Sequence, residues 1–282
     1  PSWRDTDDIW YPKHLSLEQC SSEVTARYKA TLLKGNSLTD LTGGFGIDCA
    51  FLAARFKSAT YVERQQELCE IAAHNFPILN LNHINVKNED GVRYLQAMSP
   101  VDCIFLDPAR RNEHGGKTVA ISDCEPDVAE LEELLLNKAE QVMVKLSPML
   151  DLSLALKELQ HVQEVHIISA NNECKELLLI LGQASAEEIS IHCVNLPTRG
   201  AQEEQHFVFT REQEQCSECN YTDTLENYLY EPNASLLKAG AFRSIASAFP
   251  VKKLHPNSHL YTSDVLVESF PGRAFHIISQ CS

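Results

Sequence analysis

Apolar residues recur along this chain in two periods, and the order in which the periods alternate predicts the fold. Leu17, Cys20, Val24, Tyr28 and Leu32 are spaced by threes and fours and predict a helix. The capping box Ser16-Leu17-Glu18-Gln19 opens it and Gly35 stops it. A strand over 37–41, a glycine-rich turn and a helix over 47–56 follow. Next come a strand over 59–62, a helix over 65–76 that ends before Pro77, and strands over 83–87 and 101–106. The last of these, Val-Asp-Cys-Ile-Phe-Leu, is nearly continuous in apolar residues, as expected of a strand buried on both faces. Pro126 marks a helix start, with Val128, Leu131, Leu134 and Leu135 as its apolar stripe. A strand over 141–146 and a helix around 152–159 complete the alternation. Strands over 165–168 and 176–181 then follow without a helix between them, and 189–195 with 206–210 predicts a further hairpin. Alternation predicts an α/β fold, a Rossmann-like doubly wound, mostly parallel sheet, and the directly joined strands predict an antiparallel edge strand.

Composition places the chain among ordinary globular proteins. It has 282 residues, 44% hydrophobic and 22% charged, which excludes disordered and collagen-like classes. No stretch reaches the ~18 apolar residues of a membrane span, and no charged-then-apolar leader opens the chain. Ten cysteines are too dilute for a disulfide scaffold, and Cys49, Cys69, Cys103 and Cys193 lie in apolar runs where reduced cysteine acts as a small hydrophobe. A cytoplasmic protein without membrane contact is expected. The chain starts at Pro1 and stops in a predicted strand, so it reads as a piece of a longer protein.

Charge subdivides it. The formal net charge is −15, but residues 232–282 hold five basic and two acidic side chains, whereas 184–231 hold two basic and ten acidic. The expected organisation is an N-terminal arm and helix (1–36), a main domain (37–215), an acidic linker (216–227) and a small α+β domain (228–282), ferredoxin-like or THUMP-like and truncated at its end. That last domain opens with a helix near Asn233, with Leu236, Leu237, Ala241, Phe242, Ile245 and Phe249 on its apolar side, followed by strands over 252–261 and 265–278. Its basic set, Lys238, Arg243, Lys252, Lys253 and Arg273, suits docking to RNA. A chain of −15 is otherwise a poor nonspecific phosphate binder.

The run Asp40-Leu41-Thr42-Gly43-Gly44-Phe45-Gly46 follows the first strand and opens a helix. Such a turn lets backbone N–H groups and a helix N-terminus approach a ligand closely. A nicotinamide or flavin site wants a third glycine where Cys49 stands, and Asp48 beside it is unwelcome to a pyrophosphate. An acid at the strand end before a glycine pair suits S-adenosylmethionine instead; a tight turn without ligand is the third reading. Glu63 closes the second strand, where a carboxylate can accept both hydroxyls of a ribose; Asp90 follows the third, where it can accept from an adenine amine. Asp107 ends the fourth. Four acids at consecutive strand ends lie on the rim where open α/β sheets bind ligands.

Residues 37–183 resemble a class I S-adenosylmethionine-dependent methyltransferase. The run 38–48 resembles that superfamily's first motif, Glu63 its ribose acid, Asp90 its adenine-side acid and Asp107-Pro108 its substrate motif. The chain is more similar still to bacterial RNA methyltransferases with a C-terminal THUMP-like domain. That likeness rests on 15–23, Asp107-Pro108-Ala109-Arg110-Arg111, Lys145-Leu146-Ser147-Pro148, Asn172-Glu173-Cys174-Lys175-Glu176 and Glu231-Pro232-Asn233-Ala234. The resemblance implies S-adenosyl-L-methionine as cofactor, held by Asp40, Thr42, Gly43, Gly44, Gly46, Glu63, Arg64, Asp90 and Gly91. It implies methylation of a base in tRNA or rRNA, such as a guanine exocyclic amine, with Asp107, Pro108, Arg110 and Lys145 as catalytic residues. Where amine methyltransferases carry a stacking aromatic, this chain has Ala109 and Arg110, a guanidinium plane that can stack or hold a phosphate. Ser147 and Asp151 lie on the substrate rim or cap a helix; Thr25, Tyr28 and Lys29 lie within reach of a cofactor.

Cys216-Ser217-Glu218-Cys219 has no second pair at zinc-site spacing, so no metal is expected. Two other readings stay open: a cofactor-binding interaction module without catalysis, and a nicotinamide or flavin oxidoreductase. The sequence says nothing of oligomeric state.

Overall fold

The structure is a computed structural model and describes residues 3–12, 20–110, 120–184, 186–198 and 203–279. The first elements are α1 (Glu23–Leu32), β1 (Ser37–Asp40), α2 (Ile47–Ala53), β2 (Ser58–Glu63), α3 (Gln66–Ile78), β3 (Ile84–Asn88), α4 (Gly91–Ala97) and β4 (Val101–Leu106). Short β5 (Ala109–Arg110) pairs with β6 (Cys124–Glu125), and α5 (Val128–Lys138), β7 (Ala139–Leu146) and α6 (Leu152–Glu158) follow. The chain continues through β8 (Val162–Ala170), β9 (Glu173–Gly182), β10 (Ser190–Leu196), β11 (Gln205–Thr210) and α7 (Arg211–Cys216). It closes with β12 (Tyr228–Pro232), α8 (Ala234–Ala239), α9 (Arg243–Ala248), β13 (Lys252–Lys253), β14 (Tyr261–Ser263) and β15 (Gly272–His276).

Nine strands form one sheet in the order β11-β10-β8-β9-β7-β4-β1-β2-β3. β2 and β4 flank β1 in parallel, with β3 beyond β2 and β7 beyond β4. Strand order therefore reverses at β1, and a crevice opens past its carboxyl end between it and β4. Asn171 and Asn172, with φ 49° and 63°, form the two-residue left-handed turn that reverses β8 into β9. β11 pairs antiparallel with β10 at the edge. The expected mostly parallel sheet with an antiparallel edge is present, and β13-β14-β12-β15 make a second, antiparallel sheet.

The chain divides into two compact units, one of Pro1–Gln163 with Leu178–Ala186 and one of Glu164–Leu177 with Glu187–Ser282. In the first, Cys103, Ile104, Phe105 and Leu106 of β4 and Val142, Met143 and Val144 of β7 are buried, as are Cys49 and Leu52 of α2, Phe76 of α3 and Leu135 of α5. Cys49, Cys69, Cys103 and Cys193 are free and buried, as their apolar surroundings predict. Among the described residues, no helix is long and apolar enough to cross a membrane.

Several local expectations change. The Ser16–Gln19 capping box lies outside the described residues; α1 begins at Glu23, where Ser22 Oγ accepts from the Thr25 N–H. α3 carries through Pro77, which gives up one N–H bond to the preceding turn, and the end is closed by the N–H groups of Leu79 on the Asn75 carbonyl and of Leu81 on the Phe76 carbonyl. Asp90 heads a helix that periodicity did not show, accepting from the N–H groups of Val92 and Arg93. In the second unit the expected single helix ends at Gly240 and resumes as α9, and Tyr228–Pro232, unassigned from sequence, is a central strand with Tyr230 fully buried.

The compact units also divide elsewhere than at 216–227. Residues 187–215, expected with the main domain, group with the C-terminal sheet, because hydrogen bonds tie them there. Gln205 donates to the Gly272 carbonyl and accepts from Asn233, while Asn172 accepts from the Ala234 N–H. α7, just before the acidic linker, carries a glutamate with a defined task. The Glu214 carboxylate accepts from the N–H groups of Phe242, Arg243 and Ser244 and from Ser244 Oγ, capping α9.

The basic set expected to face RNA is largely engaged within this unit. The Lys253 side chain is buried, its ammonium held by the carbonyls of His255, Pro256 and Ser258. Lys252 pairs with Glu226, Arg273 with Glu231, and Arg243 donates to the Gln215 carbonyl. Truncating Glu214 to Ala should lower stability by about 1–3 kcal/mol, the cost of stranding backbone donors, while Glu212→Ala stays within about 0.5 kcal/mol. Chemical denaturation of the two variants decides it; equal midpoints would remove Glu214 from the cap.

Candidate active site

The chain leaves β1 through buried Asp40 and turns at Thr42-Gly43-Gly44-Phe45-Gly46 into α2. Gly46 precedes the helix at φ 89°, a left-handed conformation that disfavours any side chain. The turn is pinned from both flanking strands. Gly43 donates to the Val62 carbonyl and Gly44 donates to Glu63 Oε2, both at 2.9 Å, and the second Glu63 oxygen accepts from the Gln65 N–H. On the other side the Asp107 N–H donates to Thr42 Oγ1 at 2.6 Å. Beneath the turn, a Cβ at Gly91 would stand 2.2 Å from the Leu41 carbonyl oxygen, so only glycine lets α4 approach β1 this closely.

Beyond the strand ends lies a cavity of about 470 Å³, within the usual range for small-molecule sites. Asp40, Asp48, Glu63, Glu67, Asp90, Asp107 and Glu125 line it, against Arg64 and Lys145 as its basic side chains. Asp48 is the hub of its inner wall. Lys29 Nζ lies 3.0 Å from Asp48 Oδ1 and Lys145 Nζ 3.0 Å from Oδ2. Ser21 Oγ donates to Asp48 and accepts from both lysines. Lys145 reaches on to Asp107 Oδ2 at 2.6 Å. Charge thus alternates along Lys29, Asp48, Lys145 and Asp107; the Lys29 side chain is wholly buried while that of Asp107 is 38% exposed. Asp107 is the member that a second molecule can reach.

Electrostatics follow from this arrangement. Burial alone would raise the Asp48 carboxyl, but the ammonium groups of Lys145 and Lys29 and the bond from Ser21 hold it well below the usual carboxylate range. At Asp40 burial dominates and pushes the carboxyl up to about 8, against the hydrogen bond from Thr42 and the weaker pull of Lys145. Asp107 is raised by its recess despite the pull of Lys145.

The structure brings most of the sequence-predicted residues to this cavity: Asp40, Thr42, Gly43, Gly44, Gly46, Glu63, Arg64, Asp90, Gly91, Asp107 and Lys145 line it. Arg64 pairs with Glu125 at 3.1 Å across its mouth. Pro108 is buried, and Arg110 contributes backbone to β5, its side chain lying outside the description. Asp151 caps α6, accepting from the N–H groups of Ser153 and Leu154, and Ser147 accepts from Met149. Asn172 serves the β8–β9 turn, and Lys175 pairs with Glu173 on the surface. Sequence reasoning missed Asp48 as a hub and Cys20 as a lining residue. Asp48 was read only as an obstacle to pyrophosphate; the signal was a carboxylate at the start of a helix whose inner face is otherwise apolar.

Comparison with known proteins classifies this arrangement: the fold is that of a methyltransferase. The chain belongs to the family of a Porphyromonas gingivalis W83 protein described as a "putative methyltransferase", whose crystal structure matches 99% of this chain and 70% of that one with a TM-score of 0.90 and 40% identity. A curated relative from Mycoplasma mobile, described as an uncharacterised RNA methyltransferase, is 34% identical over 76 residues, which are 27% of this chain. The match spans 21% of that protein's length. Residues 11–112 match the protein-L-isoaspartate(D-aspartate) O-methyltransferase family model, and 228–271 match a ferredoxin-like domain.

The raised Asp40 carboxyl has a measurable consequence. Between the ordinary carboxylate value and about 8 the folded chain holds a proton that the unfolded chain has released, so this residue costs stability progressively as pH rises through that window. Asp40→Asn keeps an acceptor for Thr42 and removes the titration. Compared with the native chain, the variant should gain stability between pH 5 and pH 8.5 in urea denaturation. A stability difference independent of pH would show that Asp40 is ionised in the fold.

Proposed function

We propose that this methyltransferase uses S-adenosyl-L-methionine to methylate a base in RNA, with Asp107 orienting the nucleophile. The observation that carries the reading is the partly exposed Asp107, its carboxylate held by Lys145 and its backbone N–H by Thr42, at the crevice where strand order reverses. The donor set fits the cofactor. A cavity whose acidic side chains outnumber its basic ones suits a cationic sulfonium and ammonium and repels the phosphates of a dinucleotide. Glu63 and Asp90 would hold its ribose and adenine, and Asp40 with the glycine turn its amino-acid end. When bound, the cofactor supplies an electrophilic methyl group.

The chain's own residues do the rest. Asp107 accepts a hydrogen bond from an exocyclic amine and turns its lone pair inward, while Lys145 fixes the carboxylate through Oδ2. The methylated amine carries one proton more than the free product, and Asp107 is the base placed to take it. Rate comes from alignment and exclusion of water. RNA as substrate is supported by the Mycoplasma mobile relative, and the ferredoxin-like segment is the THUMP-like docking element in this reading. The paired state of Lys252, Lys253 and Arg273 gives it no ready phosphate track, so docking relies on base and shape contacts.

The test is transfer of labelled methyl to cellular RNA from a strain lacking the protein, with and without nuclease. Label should appear in nuclease-sensitive material, and Asp107→Asn should reduce it at least about a hundredfold while cofactor affinity stays within about threefold. Label in protein that survives nuclease would overturn the RNA substrate; full activity in a stable Asp107→Asn chain would overturn the mechanism.

A further inference from the structure

The second unit carries a cluster of imidazoles that the methyltransferase site does not use. β8 and β10 pair in parallel with His166 directly opposite His192 and Glu164 opposite Ser190. β11 pairs with β10 so that His206 stands opposite Val194, two residues along the same strand face as His192. Register thus places Glu164, His166, His192 and His206 in one row. The side chains converge as the register allows: Glu164 Oε2 lies 3.0 Å from His166 Nε2, and the His166 ring stacks on that of His192 with centroids 4.3 Å apart. His192 Nδ1 lies 3.2 Å from His206 Nε2, and its Nε2 lies 3.2 Å from Ser190 Oγ.

We propose that Glu164, His166 and His192 form a site for a divalent transition-metal ion of the zinc class. Each offers one ligand atom, and the three atoms lie within 4.8 Å of one another. Nitrogen and carboxylate ligands bind zinc at about 2.0–2.2 Å, which puts neighbouring ligand atoms a little over 3 Å apart. The half-exposed Glu164 carboxylate has room to close that gap, while buried His166 gives the site a fixed floor. Two imidazoles and one carboxylate are the donors of zinc and its first-row neighbours rather than of calcium or magnesium. Whichever His192 nitrogen ligates, the other retains His206 or Ser190, the second contact that orients metal-bound histidines. An ion here would clamp β8 to β10.

The cysteine pair at 216 and 219 is the spacing the sequence offers for a metal; residues 164 and 192 are too far apart along the chain to form such a motif, and only strand register brings them together. The full chain, stripped with chelator, should bind one equivalent of Zn²⁺ with a rise in melting temperature, and Co²⁺ should give the visible bands of a low-coordinate site. Glu164→Gln and His192→Gln should each weaken Zn²⁺ binding at least about tenfold, whereas Cys216→Ser with Cys219→Ser leaves it unchanged. Glu164 is at the surface, so its variant carries the test if the histidine variants fold poorly. Equal Zn²⁺ affinity in Glu164→Gln and the native chain, or loss confined to the cysteine variant, would overturn the site.

Discussion

A carboxylate withdrawn from water stays ionised only where cations replace its hydration, and Asp48 has two, Lys29 and Lys145, each 3.0 Å away. The arrangement joins four parts of the chain that are far apart in sequence. Lys29 belongs to α1, Asp48 to α2 beyond the glycine turn, Lys145 to the end of β7, and Asp107 follows β4. Burying such charges is costly, and removing one partner typically costs about 3–5 kcal/mol because the remaining charge is stranded. The network therefore acts as a constraint on geometry more than as a source of stability. It fixes α1 against the turn and leaves Asp107 in a single position at the mouth of the cavity.

The glycine turn and the strand order make that constraint useful. Parallel strands on either side of β1 place the ends of β1, β2 and β4 on one rim. Glu63 ties the turn to β2 and Thr42 ties it to Asp107. The glycine turn and the Asp107 end of the cavity are thus held by one set of bonds from backbone N–H groups to the Glu63 and Thr42 side chains. A shift in the turn moves both together, so the site's parts are not independent of one another.

Much of this was legible in the sequence. Period and order predicted the sheet, because buried parallel strands such as 101–106 announce themselves as continuous apolar runs. Asp107 was legible because it follows such a run directly, and Glu63 because it closes the run Ala59-Thr60-Tyr61-Val62. Asp48 was not: its role depends on Lys29 and Lys145, 19 residues before and 97 residues after it, and no local pattern couples them. The limits of α8 and α9 and the strand at 228–232 were hidden for a related reason, since those short elements are defined by pairing with β14 and β15 and by the Glu214 cap. The histidine row is legible only once the register of β8 and β10 is known.

The central claim is that the carboxylate-lined crevice is built for a cationic nucleoside cofactor. Calorimetric titration of the chain with S-adenosyl-L-methionine and, separately, with NAD tests it most directly. The account predicts one-to-one binding of the first and none of the second, with Glu63→Ala weakening the first by about 1.5–3 kcal/mol, the range for hydrogen bonds to a charged group. Binding of NAD without S-adenosyl-L-methionine, or unchanged affinity in Glu63→Ala, would contradict it.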